Sequence, residues 1–125
     1  MRAKEIMTTD IVTIGGTATV TEAIAKMRDS KVRALIVERR GDEDAYGIVT
    51  QRDIAYAVLA AGKDPDNVLV HEIQSKPLVV INPDLDVKYA ARLLANMGLS
   101  RAPVISGGEL QGIVSVSDIV LKGMA

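Results

Sequence analysis

The stretch Gly47-Ile48-Val49-Thr50-Gln51-Arg52-Asp53-Ile54 returns later in the chain as Gly112-Ile113-Val114-Ser115-Val116-Ser117-Asp118-Ile119. Each copy has a glycine, a short apolar run, a hydroxyl residue and, three positions on, an aspartate. An apolar run that ends in this way reads as a buried strand turning into a helix. Finding the junction twice makes the chain a repeat, and the repeat decides the fold.

Working outward, Ile6 through Gly41 falls on Ile73 through Gly108 at a constant offset of about 67 residues. Val12 matches Val79, Ile14 matches Ile81, Val20 matches Val87, Ala23 matches Ala90 and Val37 matches Val104. Each copy reads strand–helix–strand–strand–helix. The first strands are Ile11–Ile14 and Leu78–Ile81, followed by turns at Gly15-Gly16 and Asn82-Pro83-Asp84. Thr19-Val20-Thr21-Glu22 is a capping box that starts the first helix, and Asp86 caps its counterpart. Val20, Ala23, Ile24 and Met27 form an apolar helical stripe, as do Val87, Ala90, Ala91, Leu94 and Met97. Hairpins follow, Ala34–Glu38 with Tyr46–Val49 and Ala102–Ile105 with Leu110–Val114. The closing helices run from about Arg52 to Ala61 and from about Ser117 onward. Ala3-Lys4-Glu5-Ile6 and Val70-His71-Glu72-Ile73 read as a short lead-in helix for each copy. The expected organisation is repeat 1 over residues 1–62, a linker over 63–69 and repeat 2 over 70–125. A copy of about 60 residues buries little surface alone, so two units packed about a pseudo-twofold axis are expected.

Composition narrows the function. An apolar fraction of 48% fits a folded globule and not a disordered segment. Phe and Trp are absent and the aromatics are Tyr46, Tyr56 and Tyr89, too few for a base-stacking platform. The net charge of −1 lacks the basic balance of a nucleic-acid binder. Without cysteine there is no thiol chemistry, and His71 alone builds no His-rich metal site. The start of the chain does not read as a signal peptide, and no apolar run is long enough to span a bilayer. A cytoplasmic protein is expected, with no membrane or nucleic-acid partner.

In order and repeated, these segments resemble the tandem CBS domain family, the Bateman module, in its small stand-alone form. Val32-Arg33-Ala34-Leu35-Ile36-Val37 and Leu99-Ser100-Arg101-Ala102-Pro103-Val104 add to the two junction motifs, and the likeness covers essentially the whole chain. The fold it implies is α/β (α+β), with two CBS repeats. The function it implies is a regulatory module that senses an adenosine nucleotide in clefts between the repeats: AMP first, then ADP or ATP, with S-adenosylmethionine or NAD(H) as alternatives. It also implies a homodimer, four repeats in a disc, a regulated protein partner and no catalytic cofactor.

The residues offer chemistry for that role. At Thr50-Gln51-Arg52-Asp53 and Ser115-Val116-Ser117-Asp118, free amides at a helix start favour an anion or polar ligand. A hydroxyl can bond ribose or phosphate, and the aspartate can accept both vicinal ribose hydroxyls. The same spacing is also a capping box that needs no ligand. The resemblance implies that Arg33 contacts phosphate, which the planar guanidinium fork suits, with Arg101 one position out of register and Ser100 in its place. Arg52 can reach the same anion.

By the family's crossed arrangement, one site joins Ser115, Ser117, Asp118 and Ile113 to Thr13, Ile14, Gly16, Thr17, Ala18, Val32, Arg33 and Ala34. The other joins Thr50, Arg52, Asp53 and Ile48 to Val80, Ile81, Pro83, Leu99, Ser100, Arg101 and Ala102. For the apolar members the plain alternative is core. Two departures stand out: Ile36 takes the place of Pro103, and the last helix is short. The sites are thus expected to differ.

Two other classes compete with a sensor. An interaction module of the same fold would dimerise and ignore adenosine compounds. A small enzyme needs a base, a nucleophile or metal ligands converging in a cleft, and a chain with no cysteine, a lone histidine and no clustered carboxylates supplies none.

Overall fold

The structure, a computed structural model, describes residues 1–77 and 79–125. In chain order its elements are α1 (Ala3–Ile6), β1 (Thr13–Ile14), α2 (Val20–Ser30), β2 (Ala34–Val37), β3 (Gly47–Thr50) and α3 (Gln51–Ile54). Helix α3 runs on as a π-helical turn, Ala55–Leu59, and a 3-10 turn, Pro65–Asn67, leads to α4 (Val70–Ile73). Then come α5 (Val87–Met97), β4 (Arg101–Ser106), β5 (Glu109–Ser115) and α6 (Val116–Gly123). The mixed helix and strand content is the α+β fold read from the sequence.

The chain forms two compact units. One is contiguous, Val12–Lys76. The other is split, made of Met1–Ile11 and Pro77–Ala125. The repeats in the sequence and the units in space are therefore different divisions of the chain.

In the contiguous unit β2 is the central strand, parallel to β1 and antiparallel to β3. A strand paired on both edges favours a continuous apolar run, and Leu35, Ile36 and Val37 are all buried. Of the strand expected over Ile11–Ile14 only Thr13–Ile14 is regular, although the Val12 carbonyl still accepts from the Ile36 amide at 3.0 Å. Helix α2 begins as its sequence dictates: the Glu22 amide donates to Thr19 Oγ1 at 3.2 Å and the Thr19 amide to Glu22 Oε2 at 3.3 Å. Its buried face, Ala23 and Met27, packs with Ile14, Leu35, Val37, Val49 and Val70. Val68, within the segment expected to be a linker, is buried beside Val20 and Val58, and its carbonyl accepts from the Val20 amide at 2.9 Å.

The split unit repeats the plan. Strands β4 and β5 form an antiparallel hairpin, with a register shift between Val104 and Ile105. Leu78, the first residue of the expected strand Leu78–Ile81, lies outside the described residues. Ile81 makes a single parallel bridge to Val104, its amide donating to Pro103 at 2.9 Å and its carbonyl accepting from Ile105 at 3.1 Å. Asp86 caps α5 by accepting from the Lys88 amide at 2.9 Å. Ala3 and Ile6 of α1 join Ile81, Val87, Ala90, Leu94, Ala102, Val104, Val114 and Ile119 in the core.

The two long helices stop differently. Helix α5 ends at Gly98, whose φ of 66° is left-handed and free of penalty for glycine. Helix α2 ends at Lys31 with φ 57°, a conformation that crowds a Cβ. Lys31→Gly should therefore raise stability by about 0.5–1 kcal/mol, relief of the left-handed strain exceeding the backbone entropy glycine adds to the unfolded chain. Gly98→Ala should lower it by about 1 kcal/mol. Urea unfolding of both variants measures the difference.

Candidate functional site

The junction motifs fold as capping boxes in both units. Ser115 Oγ accepts from the Asp118 amide at 3.1 Å, and Asp118 Oδ2 accepts from the Ser115 amide at 3.0 Å. Thr50 Oγ1 accepts from the Asp53 amide at 3.1 Å, and Asp53 Oδ2 from the Thr50 amide at 2.8 Å. Two further amides are used as well: Gln51 donates to the Arg33 carbonyl at 3.0 Å and Val116 to the Ser100 carbonyl at 2.9 Å. Most of the amides expected to face an anion are thus bonded within the fold. What each junction presents is a carboxylate fixed by its own cap.

The two carboxylates differ. Asp118 is the only buried charged residue among the described residues, 7% exposed. Its Oδ1 accepts from Lys122 Nζ at 2.9 Å and Thr8 Oγ1 at 3.1 Å. Its Oδ2 accepts from both the amide and the hydroxyl of Ser115, each at 3.0 Å. Asp53 is half-buried, and beyond the Thr50 amide no described residue donates to it. Lys122 and Thr8 were not among the residues singled out from the sequence. Lys122 was legible, since Asp and Lys four apart face each other on a helix. Thr8 was not, because only the fold brings α1's exit loop to α6.

Burial pushes the Asp118 carboxyl up. The hydrogen bonds from Lys122, from the Ser115 amide and hydroxyl and from Thr8 outweigh it, and the group lies below its ordinary 3.8. A carboxyl depressed in the folded state adds stability that is present above its unfolded value and lost as pH falls through the folded one. Stability should therefore fall steeply below about pH 4, and Asp118→Asn should flatten that slope. Urea unfolding at intervals from about pH 5 downward checks it.

The other expected residues fall into three groups. Ile14, Ile48, Ile81 and Ala102 have buried side chains, while Val32, Leu99, Ala34 and Ile113 are partly exposed. Thr17, Arg33, Val80, Ser100 and Ser117 are exposed, and Arg101 is half-buried, paired across the hairpin with Ser115. Arg52 lies over the Tyr56 ring, 5.3 Å from its centroid. Around the first turn, Thr13 donates to Glu38 at 3.2 Å, the Gly16 carbonyl accepts from His71 at 3.0 Å and the Ala18 carbonyl from Val70 at 2.8 Å. The Pro83 carbonyl accepts from Lys4 at 2.9 Å. No group of three or more His, Asp or Glu among the described residues can hold a metal ion. No helix among them is long and apolar enough to cross a membrane. An apolar groove of about 550 Å³ between α2 and the π-helical turn includes Met27, Ile54 and Val58, and none of the expected nucleotide residues.

Two segments, residues 3–60 and 70–124, match the CBS domain model. The chain belongs to the CBS domain family. Its CBS repeats are 33% identical over 122 residues to the CBS domain-containing protein YhcV of Bacillus subtilis, covering 98% of this chain and 85% of YhcV. They are 31% identical to Hypoxic response protein 1 of Mycobacterium tuberculosis, over 94% of this chain and 81% of that one. Protein MK0525 of Methanopyrus kandleri is 33% identical, but this chain spans 59% of its length. Among solved structures, a hexameric CBS-CP12 protein from bloom-forming cyanobacteria is 54% identical with a TM-score of 0.93, over 98% of this chain and 67% of that one. Tandem CBS domains are regulatory modules in general, and proteins built of them are typically regulatory and not catalytic.

Proposed function

We propose that this CBS pair is a sensor that binds an adenosine nucleotide, AMP before ADP or ATP, and passes its occupancy to a partner protein without doing chemistry. The observation that carries the reading is the repeated junction. In both units a hydroxyl residue at a strand end fixes an aspartate one helical turn later. A carboxylate held in this way suits the two neighbouring hydroxyls of a ribose. Arg33 is exposed and Arg101 half-buried, and the guanidinium of either suits a phosphate.

Calorimetric titration of AMP, ATP, S-adenosylmethionine and NADH into the whole protein tests the proposal. Saturable binding of AMP, weakened about tenfold or more by Asp53→Ala, is the expected result, since losing a bond to a charged group costs at least that much. No binding of any of them at millimolar concentration would sink the sensor reading.

A specific observation also favours self-association. Leu59 in one unit and Leu121 in the other are 79% and 71% exposed, joined by Tyr56, Val120 and Met124. Exposed apolar side chains on a closing helix suit burial against another copy. Light scattering should give a mass above the monomer's 13.3 kDa, a dimer in the simplest case. The hexamer named for the cyanobacterial relative is the competing outcome.

A further inference from the structure

We infer that the two junctions are not equivalent: Asp53 is the carboxylate that takes the ribose, and Lys122 with Thr8 keeps Asp118 occupied by the protein itself. The inference rests on the nucleotide reading above and says which half of it works. A carboxylate has about four acceptor positions, and a vicinal diol needs two of them. Asp118 accepts four hydrogen bonds, from Lys122, Thr8 and the amide and hydroxyl of Ser115. A ribose arriving there must displace the charge-assisted contact at 2.9 Å, the Thr8 bond, or both. Asp53 accepts one bond, from the Thr50 amide, and among the described residues nothing donates to its second oxygen.

The repeat shows where the difference originates. Four residues after Asp53 stands Ala57, where Lys122 stands four after Asp118, so the first copy has no ammonium to offer. Ser75 occupies the place of Thr8: its backbone bridges Ile48 as Thr8 bridges Ile113. Yet among the described residues the Ser75 hydroxyl makes no bond to Asp53. Thr50 also differs from Ser115, whose hydroxyl donates to Asp118 at 3.0 Å; no such bond joins Thr50 to Asp53. One cap therefore closes on itself, and the other leaves a carboxylate oxygen and a hydroxyl proton available. Both keep the same helix start, so the asymmetry affects ligand acceptance and not the fold.

The test is titration of AMP into the whole protein and three variants, with thermal melts to confirm folding. Asp53→Asn, which preserves the cap's shape, should weaken AMP about tenfold or more, while Asp118→Asn should change affinity less than about twofold. Lys122→Met combined with Thr8→Val should about double the number of AMP molecules bound at saturation, by freeing the two acceptor positions that a diol needs. A readout without ligand accompanies it: the carbon-13 titration of the Asp118 carboxyl should move upward in the same protein. If Asp118→Asn loses AMP as severely as Asp53→Asn, or if the combined Thr8→Val and Lys122→Met protein neither adds a site nor moves the titration, the inference is overturned while the sensor reading stands. If no variant binds AMP, ATP or S-adenosylmethionine, the sensor reading falls and this assignment falls with it.

Discussion

Gly112→Ala should lower the stability of the protein by about 2–3 kcal/mol, near the upper end for a side chain forced into a packed site. A Cβ at Gly112 would lie 2.8 Å from the Thr8 carbonyl oxygen and 2.8 Å from Met7 Sδ. The sulfur can move, but the carbonyl cannot without shifting the backbone. That backbone holds the two-way bridge between Thr8 and Ile113, at 2.8 and 3.0 Å, and carries the Thr8 hydroxyl to Asp118. Gly47→Ala, at the same place in the first copy, meets mainly the end of the Gln74 side chain and should cost less. Gly41→Ala, with open space around it, should cost almost nothing. Urea midpoints of the three variants should fall in that order; equal losses at Gly112 and Gly41 would disprove the backbone argument.

Ile81→Ala should cost about 3 kcal/mol, within the range for removing a large aliphatic side chain from a core that cannot collapse around the gap. Ile81 has no exposed surface and packs with Val104, Leu94 and Ile6. Its backbone is pinned on both sides by the bonds to Pro103 and Ile105, which limits relaxation. The sequence offered Ile81 as both a slot for adenine and a core residue, and the structure places its side chain in the core. A loss below about 1 kcal/mol would mean that the bridge yields and the core refills.

Much of this was legible because it is local. The capping boxes at Thr19, Thr50 and Ser115 need residues three apart, and the helical stripes need residues three and four apart. Both kinds of pattern survive without knowledge of the fold. The first strands were read too long, since so short a parallel edge is held by a few bonds from β2 or from the hairpin and not by its own pattern. The π-helical turn at Ala55–Leu59 left no sign in its apolar sequence. The candidate aspartates were visible from the repeat, but the difference between them was not. It depends on Thr8, more than 100 residues away along the chain, and on which of Ala57 and Lys122 follows the aspartate.

The exchange of lead-in helices has a consequence for the order in which the molecule comes into being. Val12–Lys76 is continuous, so once it has left the ribosome it holds everything its core needs, Val70 included. The other half cannot finish then. Ala3 and Ile6 are made well before Leu94, Val114 and Ile119 and must wait for them. Closing so long a loop is slow, because the chain loses entropy before any contact compensates. Until Leu94, Val114 and Ile119 have been made, the protein should therefore exist as a formed half with an apolar arm awaiting its partner segment. Cutting the gene at the repeat boundary would leave that arm without a core, whereas Val12–Lys76 made by itself would keep its own core whole.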